Sequence, residues 1–353
     1  MKLDIFPHIF PPAYFERMQS IAGRNPALGA QIKRWLHIPV LWDLERRVRM
    51  MKRFAGYRQV LTLSLPAIEF LAGPQDSPQL ARLANDGMAA IVREHPQLFP
   101  AFVASLPMNN VAAALAEMDR AIGELGARGV QVFTNVNGRP LDEPEFFPLL
   151  ERMANTHRLP VWLHPTRTAK FPDYACEEKS KYEIWWLFGW PYETSACMAR
   201  LVFSGVLQKL PRLRIITHHL GAMAPYFVNR IRYGMAQMGT RTADEDYASL
   251  LKRLKQTPLA YFRRFYADTS VNGSPSALRC GLDFYGAARV LFGTDCPFDP
   301  QGGPLFIRET IKALDALRLR PHDRRRIYFG NAQRLLGLKR PRSARSGSAG
   351  TAG

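Results

Sequence analysis

Three apolar runs in this chain each stop abruptly at a polar residue: VWLHP at His164, RIITHHLG at His218 and His219, and VLFGTDCPF at Asp295. A parallel strand covered on both faces reads as an unbroken apolar run, and its first polar residue marks the C-terminal edge of the sheet. The near-N-terminal LDIFPH, ending in His8, follows the same pattern. In an α/β barrel that edge is where chemistry is built. Four strand ends therefore converge on His8, His164, His218 or His219, and Asp295. Imidazole and carboxylate are the usual protein ligands of a divalent catalytic ion, so the set predicts a metal site.

The runs alternate with helical stretches. Strands are expected at 3–9, 59–64, 99–106, 130–134, 160–164, 213–217, 264–269 and 288–293, with helices between them, among them 79–94, 110–126, 143–156, 193–204 and 225–235. Eight such units argue for a (β/α)8 TIM barrel. Residues 11–56 read as a partly helical insertion after the first strand. One barrel domain is expected over 1–338. The Ser, Gly, Ala and Arg composition of 339–353 predicts a disordered basic tail.

Residues 165–191 carry Tyr174, Tyr182, Trp185, Trp186, Phe188 and Trp190 in an irregular passage. Aromatic loops over the C-terminal face form lids or substrate walls, and they equally pack a barrel helix or a subunit contact. Lys+Arg 48 against Asp+Glu 30 gives a net charge of +18, four of those charges lying in the tail. The surplus favours anionic small molecules; the basic residues are scattered and accompany no nucleic-acid motif, so no nucleic-acid partner is expected. Cys176, Cys197, Cys280 and Cys296 show neither CxxC spacing nor scaffold density, which fits a reducing cytoplasm. Cys296 beside Asp295 reads as a small buried residue and not as a nucleophile. No signal-peptide h-region and no apolar run long enough to span a bilayer is visible, so a cytoplasmic protein without membrane contact is expected.

Further stretches carry a resemblance: WDLERRVRMM from Trp42, LPMNN from Leu106, GVQVFTNVNG from Gly129, GWPYETSACMARLVFSGVL from Gly189, FYADTS and GNAQRLLGL from Gly330. With the strand ends above, the chain from about residue 2 to 338 resembles the amidohydrolase superfamily. The wording is similar to the branch of amino-carboxymuconate-semialdehyde decarboxylase and related metal-dependent aromatic-acid decarboxylases. The resemblance implies a TIM barrel, homodimers, and one divalent ion, zinc foremost, with manganese and magnesium as alternatives. It makes His8 the second position of a first-strand HxH pair, and His164 and Asp295 ligands from the fifth and eighth strands. Counting back from Pro225 and Arg230, it makes His219 the acid/base histidine. The chain departs from that pattern at Phe6, where a ligand would stand, and at His37-Ile38-Pro39, which lacks the arginine expected before the WD segment.

Side chains of a strand alternate between faces. Only one of the adjacent histidines is therefore expected to face the ion; the family spacing selects His219 and leaves His218 to bind metal, to contact substrate or merely to pack. Arg167 is expected either to grip a substrate carboxylate as a fork or to make a structural salt bridge, and Trp190 to wall the substrate. The implied activity is metal-dependent, non-oxidative decarboxylation of a small aromatic or unsaturated carboxylic acid, with Asp295 or His219 protonating the carbon. Metal-dependent hydrolysis or hydration of a related anion is the first alternative. A non-catalytic binding barrel, emptied through Phe6, is the second.

Overall fold

The computed structural model describes residues 1–338 except 25 and 243, without the side chains of 26–28, 30 and 31; the expected disordered tail lies outside the described residues. The first barrel strand is built in two pieces, Lys2–Asp4 and His8–Ile9, and both pair in parallel with the second, Tyr57–Leu63. The third strand, also in two pieces, Ala101–Phe102 and Ala104–Ser105, bridges the second to the fourth, Val130–Phe133. Val161–His164, Ile215–Thr217 and Tyr266–Ala267 follow in parallel register as the fifth to seventh. The eighth run is shorter than its apolar pattern predicts, for only Val290 bridges to Ala267. The barrel closes where Ile5 N–H donates to the Phe292 carbonyl at 3.0 Å and His8 N–H to that of Cys296 at 2.7 Å. Eight parallel strands with intervening helices form a TIM barrel.

Alternation divides the apolar residues into two cores. Leu3, Ile5, Phe6, Val60, Val103, Trp162, Ile216 and Leu291 fill the barrel interior, while Val130, Val161, Leu163 and Ile215 face the helical layer. The Trp162 indole donates to the Ile5 carbonyl at 2.8 Å, tying the fifth strand to the first across that interior. Helices Ser77–Glu94, Val111–Gly123, Gly189–Phe203, Pro275–Tyr285 and Pro304–Ala316 contribute to the outer layer. The 11–56 insertion carries helices Pro12–Ala22, Pro26–Leu36 and Leu44–Met51.

Two expected elements are corrected. The helix after residue 191 begins at Gly189, so the aromatic passage already contributes its first turn. The helix expected from Pro225 starts three residues later: 225–227 form a turn, and the winding from 228 runs through the wide turn Arg230–Gly234 into the tight turn Met235–Gln237. Among the described residues no helix is long and apolar enough to cross a membrane.

Candidate metal centre

Three histidines at the C-terminal mouth are each held by Nδ1. His8 donates to Thr62 Oγ1 at 3.3 Å, an oxygen free to accept because its own proton goes to the Pro7 carbonyl at 2.7 Å. His164 donates to the Pro165 carbonyl at 2.7 Å. His218 makes a short bond to Asp268 Oδ2, whose carboxylate is itself fixed by the amides of Leu220 and Ser270 at 2.9 and 3.0 Å. Partners of this kind fix ring orientation and leave Nε2 for a cation.

The ring centroids stand 5.0 to 5.8 Å apart, and a ligand atom from each ring lies within 4.8 Å of the others. Nε2 of His8 and Nε2 of His218 are buried without a hydrogen-bond partner. A buried polar atom normally has one. Asp295 Oδ1 stands 3.3 Å from the first and 3.4 Å from the second. Those separations exceed the usual N–H···O range, but they match the edge, about 3.3 to 3.4 Å, of a tetrahedron of ligands 2.0 to 2.1 Å from zinc. The residues therefore fit a divalent cation.

The backbone aims these groups. Asp295 adopts φ +61° just after the eighth run, which turns its carboxylate over the barrel mouth. Left-handed backbone at a residue other than glycine is strained and concentrates at functional sites. Gly293 precedes it because a Cβ there would stand 2.9 Å from the Asp268 Cβ. Burial pushes the His8 and His164 imidazoles below their ordinary values, the neighbouring histidines adding to the effect at His164. At His218 burial acts downward too, but Asp268 and Asp295 outweigh it and hold the ring at about 9. Burial would raise Asp295, yet the three surrounding histidines keep its carboxyl well below the usual range.

The expectation that only one of the adjacent histidines faces the pocket is corrected. His218 shares parity with the interior Ile216 and is completely buried among the site groups. His219 reaches the same carboxylate because its φ of +53° breaks the strand's alternation; its Nε2 lies 3.8 Å from Asp295 Oδ2. Unlike the other three it has no partner on Nδ1, and its side chain is 21% exposed. Burial and the adjacent His218 lower its pKa.

Trp190 hangs over this group, its indole N–H donating to the Arg167 carbonyl at 3.2 Å and its ring stacked on His219 with centroids 6.4 Å apart. Arg167 pairs with Glu193 at 3.1 Å and lies 5.1 Å from the centre of the Phe171 ring. A cavity of about 260 Å³ opens beside the clustered groups and not over them, lined by Arg167, Lys170, Glu69 and Asn135 among others. Cys296 is buried, and burial pushes its thiol up.

Sequence reading missed a buried support beneath the site. Arg47 donates to the His8 carbonyl, to Gln59 Oε1 at 2.6 Å and to the Val40 carbonyl at 3.1 Å. Gln59 donates to the Tyr57 hydroxyl at 2.9 Å, and that hydroxyl donates to Asp4. Asp4 also accepts from the amides of Phe6 and Thr294, each at 3.1 Å, so one carboxylate ties the first strand to the residue before Asp295. The signal for Arg47 was available, since it sits three and four residues before the buried Met50 and Met51 on one face of Leu44–Met51.

Residues 33–338 match the family model described as amidohydrolase. The chain is 31% identical over 299 residues to 2-amino-3-carboxymuconate-6-semialdehyde decarboxylase of Dictyostelium discoideum, an alignment covering 84% of this chain and 77% of that protein. It is 31% identical over 307 residues to gamma-resorcylate decarboxylase of Polaromonas sp. strain JS666, covering 84% and 88%. Among solved structures, the dihydroxybenzoic acid decarboxylase of Polaromonas sp. JS666, with bound manganese and the inhibitor 2-nitroresorcinol, superposes with a TM-score of 0.74 at 28% identity over 96% of this chain and 98% of that one.

Proposed function

We propose a function from one premise: this chain belongs to the amidohydrolase family. It is a decarboxylase that removes carbon dioxide from a small aromatic or unsaturated carboxylic acid without an oxidant. Its relatives of known name are decarboxylases of such acids. The observation that carries the assignment to these residues is the 3.3 Å approach of Asp295 Oδ1 to the unpartnered His8 Nε2, beside His164, at a barrel mouth. His8, His164 and Asp295 would hold one divalent ion, zinc foremost, with manganese and magnesium as alternatives. When bound, it supplies a Lewis acid that grips oxygens next to the leaving carboxylate.

The chain's own groups do the rest. Trp190 offers a ring face to a planar substrate. Arg167, whose Nη1 is shared with Glu193, meets the anionic carboxylate from the side of the cavity. His219, partly exposed and untethered, carries a proton to the ring carbon that bears the carboxylate. The carbon–carbon bond then breaks, its electron pair returns to the ring and carbon dioxide leaves, so that one proton replaces one carboxylate. Exposed Tyr174, Tyr182, Phe188, Tyr226 and Tyr233, among other exposed apolar side chains, support a homodimer. The four free cysteines support a reducing, cytoplasmic setting.

The test couples metal analysis of purified protein to a screen of hydroxybenzoates and unsaturated carboxylates for released carbon dioxide. About one ion per chain with carbon dioxide release is expected. Water uptake without carbon dioxide would replace decarboxylation by hydrolysis or hydration, and a chain that takes up no ion after reconstitution would be a binding barrel.

A further inference from the structure

We infer that His218 is a ligand of the ion, standing in on the sixth strand for the ligand that Phe6 removes from the first. The inference rests on the metal-dependent reading above and deepens it. Four observations carry it. His218 Nε2 is completely buried and has no hydrogen-bond partner. It approaches the same carboxylate oxygen, Asp295 Oδ1, as His8 does, and at nearly the same distance, 3.4 against 3.3 Å. Its Nδ1 is held by Asp268, giving the carboxylate–imidazole arrangement that orients metal-bound histidines. Finally, the Phe6 ring lies flat against the His218 ring, with centroids 4.0 Å apart and planes 17° from parallel.

The last contact explains why the substitution at position 6 is tolerated. A phenyl ring has no lone pair to give, but here it forms the wall that fixes the plane of His218. The protein ligand number is thereby kept while one ligand changes strand. His219 does not compete for this place. It faces the other oxygen, Oδ2, at 3.8 Å, and nothing holds its Nδ1. The four groups His8, His164, His218 and Asp295 bring three nitrogens and one oxygen to the ion, where the pattern without His218 brings two nitrogens.

The test is ion affinity, not turnover. Zinc and manganese dissociation constants are measured by chelator competition for the wild type, His218→Ala, Phe6→His and the double variant Phe6→His/His218→Ala. The imidazole count is read from X-ray absorption of the zinc-loaded proteins. Losing a partner one shell further out already weakens metal binding about 10- to 100-fold, so His218→Ala is expected to weaken it at least 100-fold and to lower the imidazole count from three to two. Phe6→His is expected to recover affinity in the His218→Ala background and to add little in the wild type, where the place is taken. Because His218→Ala leaves the Asp268 carboxylate buried without its partner, His218→Leu/Asp268→Asn is run beside it, with circular dichroism to confirm the fold. A folded His218 variant that keeps wild-type affinity and imidazole count overturns the inference and leaves the proposed function standing. A wild type that binds no divalent ion overturns both.

Discussion

At the residue scale, the site separates histidines that are held from one that is free. His8, His164 and His218 spend Nδ1 on fixed acceptors, whereas His219 spends neither nitrogen on a close partner and remains within reach of solvent. A proton carrier needs that freedom. His219→Gln is therefore expected to lower kcat by about 10² to 10⁴ while leaving ion content within error, measured by steady-state kinetics beside elemental analysis; equal loss of ion and rate would make His219 a ligand. Glu69 poses a separate question of charge. It is buried with Oε1 unpartnered, and burial raises its pKa from 4.5 to about 7. The folded state thus favours the protonated acid, a contribution full below about pH 4.5 and lost as pH rises through about 7. Glu69→Gln cannot ionise, so its melting temperature should gain on the wild type between about pH 5 and pH 8, by an amount corresponding to on the order of a few kcal/mol. A difference that stays flat across that range would mean that the carboxylate is solvated.

At the element scale, what was legible in the sequence was whatever burial dictates. Parallel strands covered on both faces must be apolar, so seven of the eight runs and the residues ending them could be read directly; His8 and His164 come together at those ends, and Asp295 reaches the His8 ring. The turn after the sixth strand was not legible. Alternation is a rule for extended backbone, and it fails at His219 and Leu220, whose φ values are +53° and +57°. The left-handed turn is completed by Gly221, where a Cβ would collide with the Tyr285 hydroxyl at 1.9 Å. Arg47 was legible but overlooked, because a charged residue on an amphipathic helix reads as solvated until its face is counted. Its guanidinium reaches under the first strand from a helix of the insertion. Arg47→Met should therefore weaken ion binding about 10- to 100-fold, as loss of an outer support does, and should also lower the melting temperature. Titration calorimetry with zinc checks the first effect, and unchanged affinity would confine Arg47 to stability.

At the scale of the whole molecule, one closing seam joins residues far apart in sequence. Asp4 and Thr294, Ile5 and Phe292, and His8 and Cys296 bond across the meeting of the first and eighth strands, and the proposed ion ligands His8 and Asp295 stand on its two sides. A closed barrel has no loose edge from which to unravel, so opening must begin by parting some pair of neighbours. An ion shared by His8 and Asp295 would act as a rivet through this pair and make it the last to part; without the rivet, the eighth run, with its single bridge, would become the place where the ring comes undone. Chelation should then change the route of opening as well as its cost. Amide hydrogen exchange at Ile5, His8 and Thr294 is expected to accelerate on ion removal, while Val132 and Leu163, in the continuously paired fourth and fifth strands, keep their protection. Uniform acceleration at all five amides would show instead that the ring opens everywhere at once.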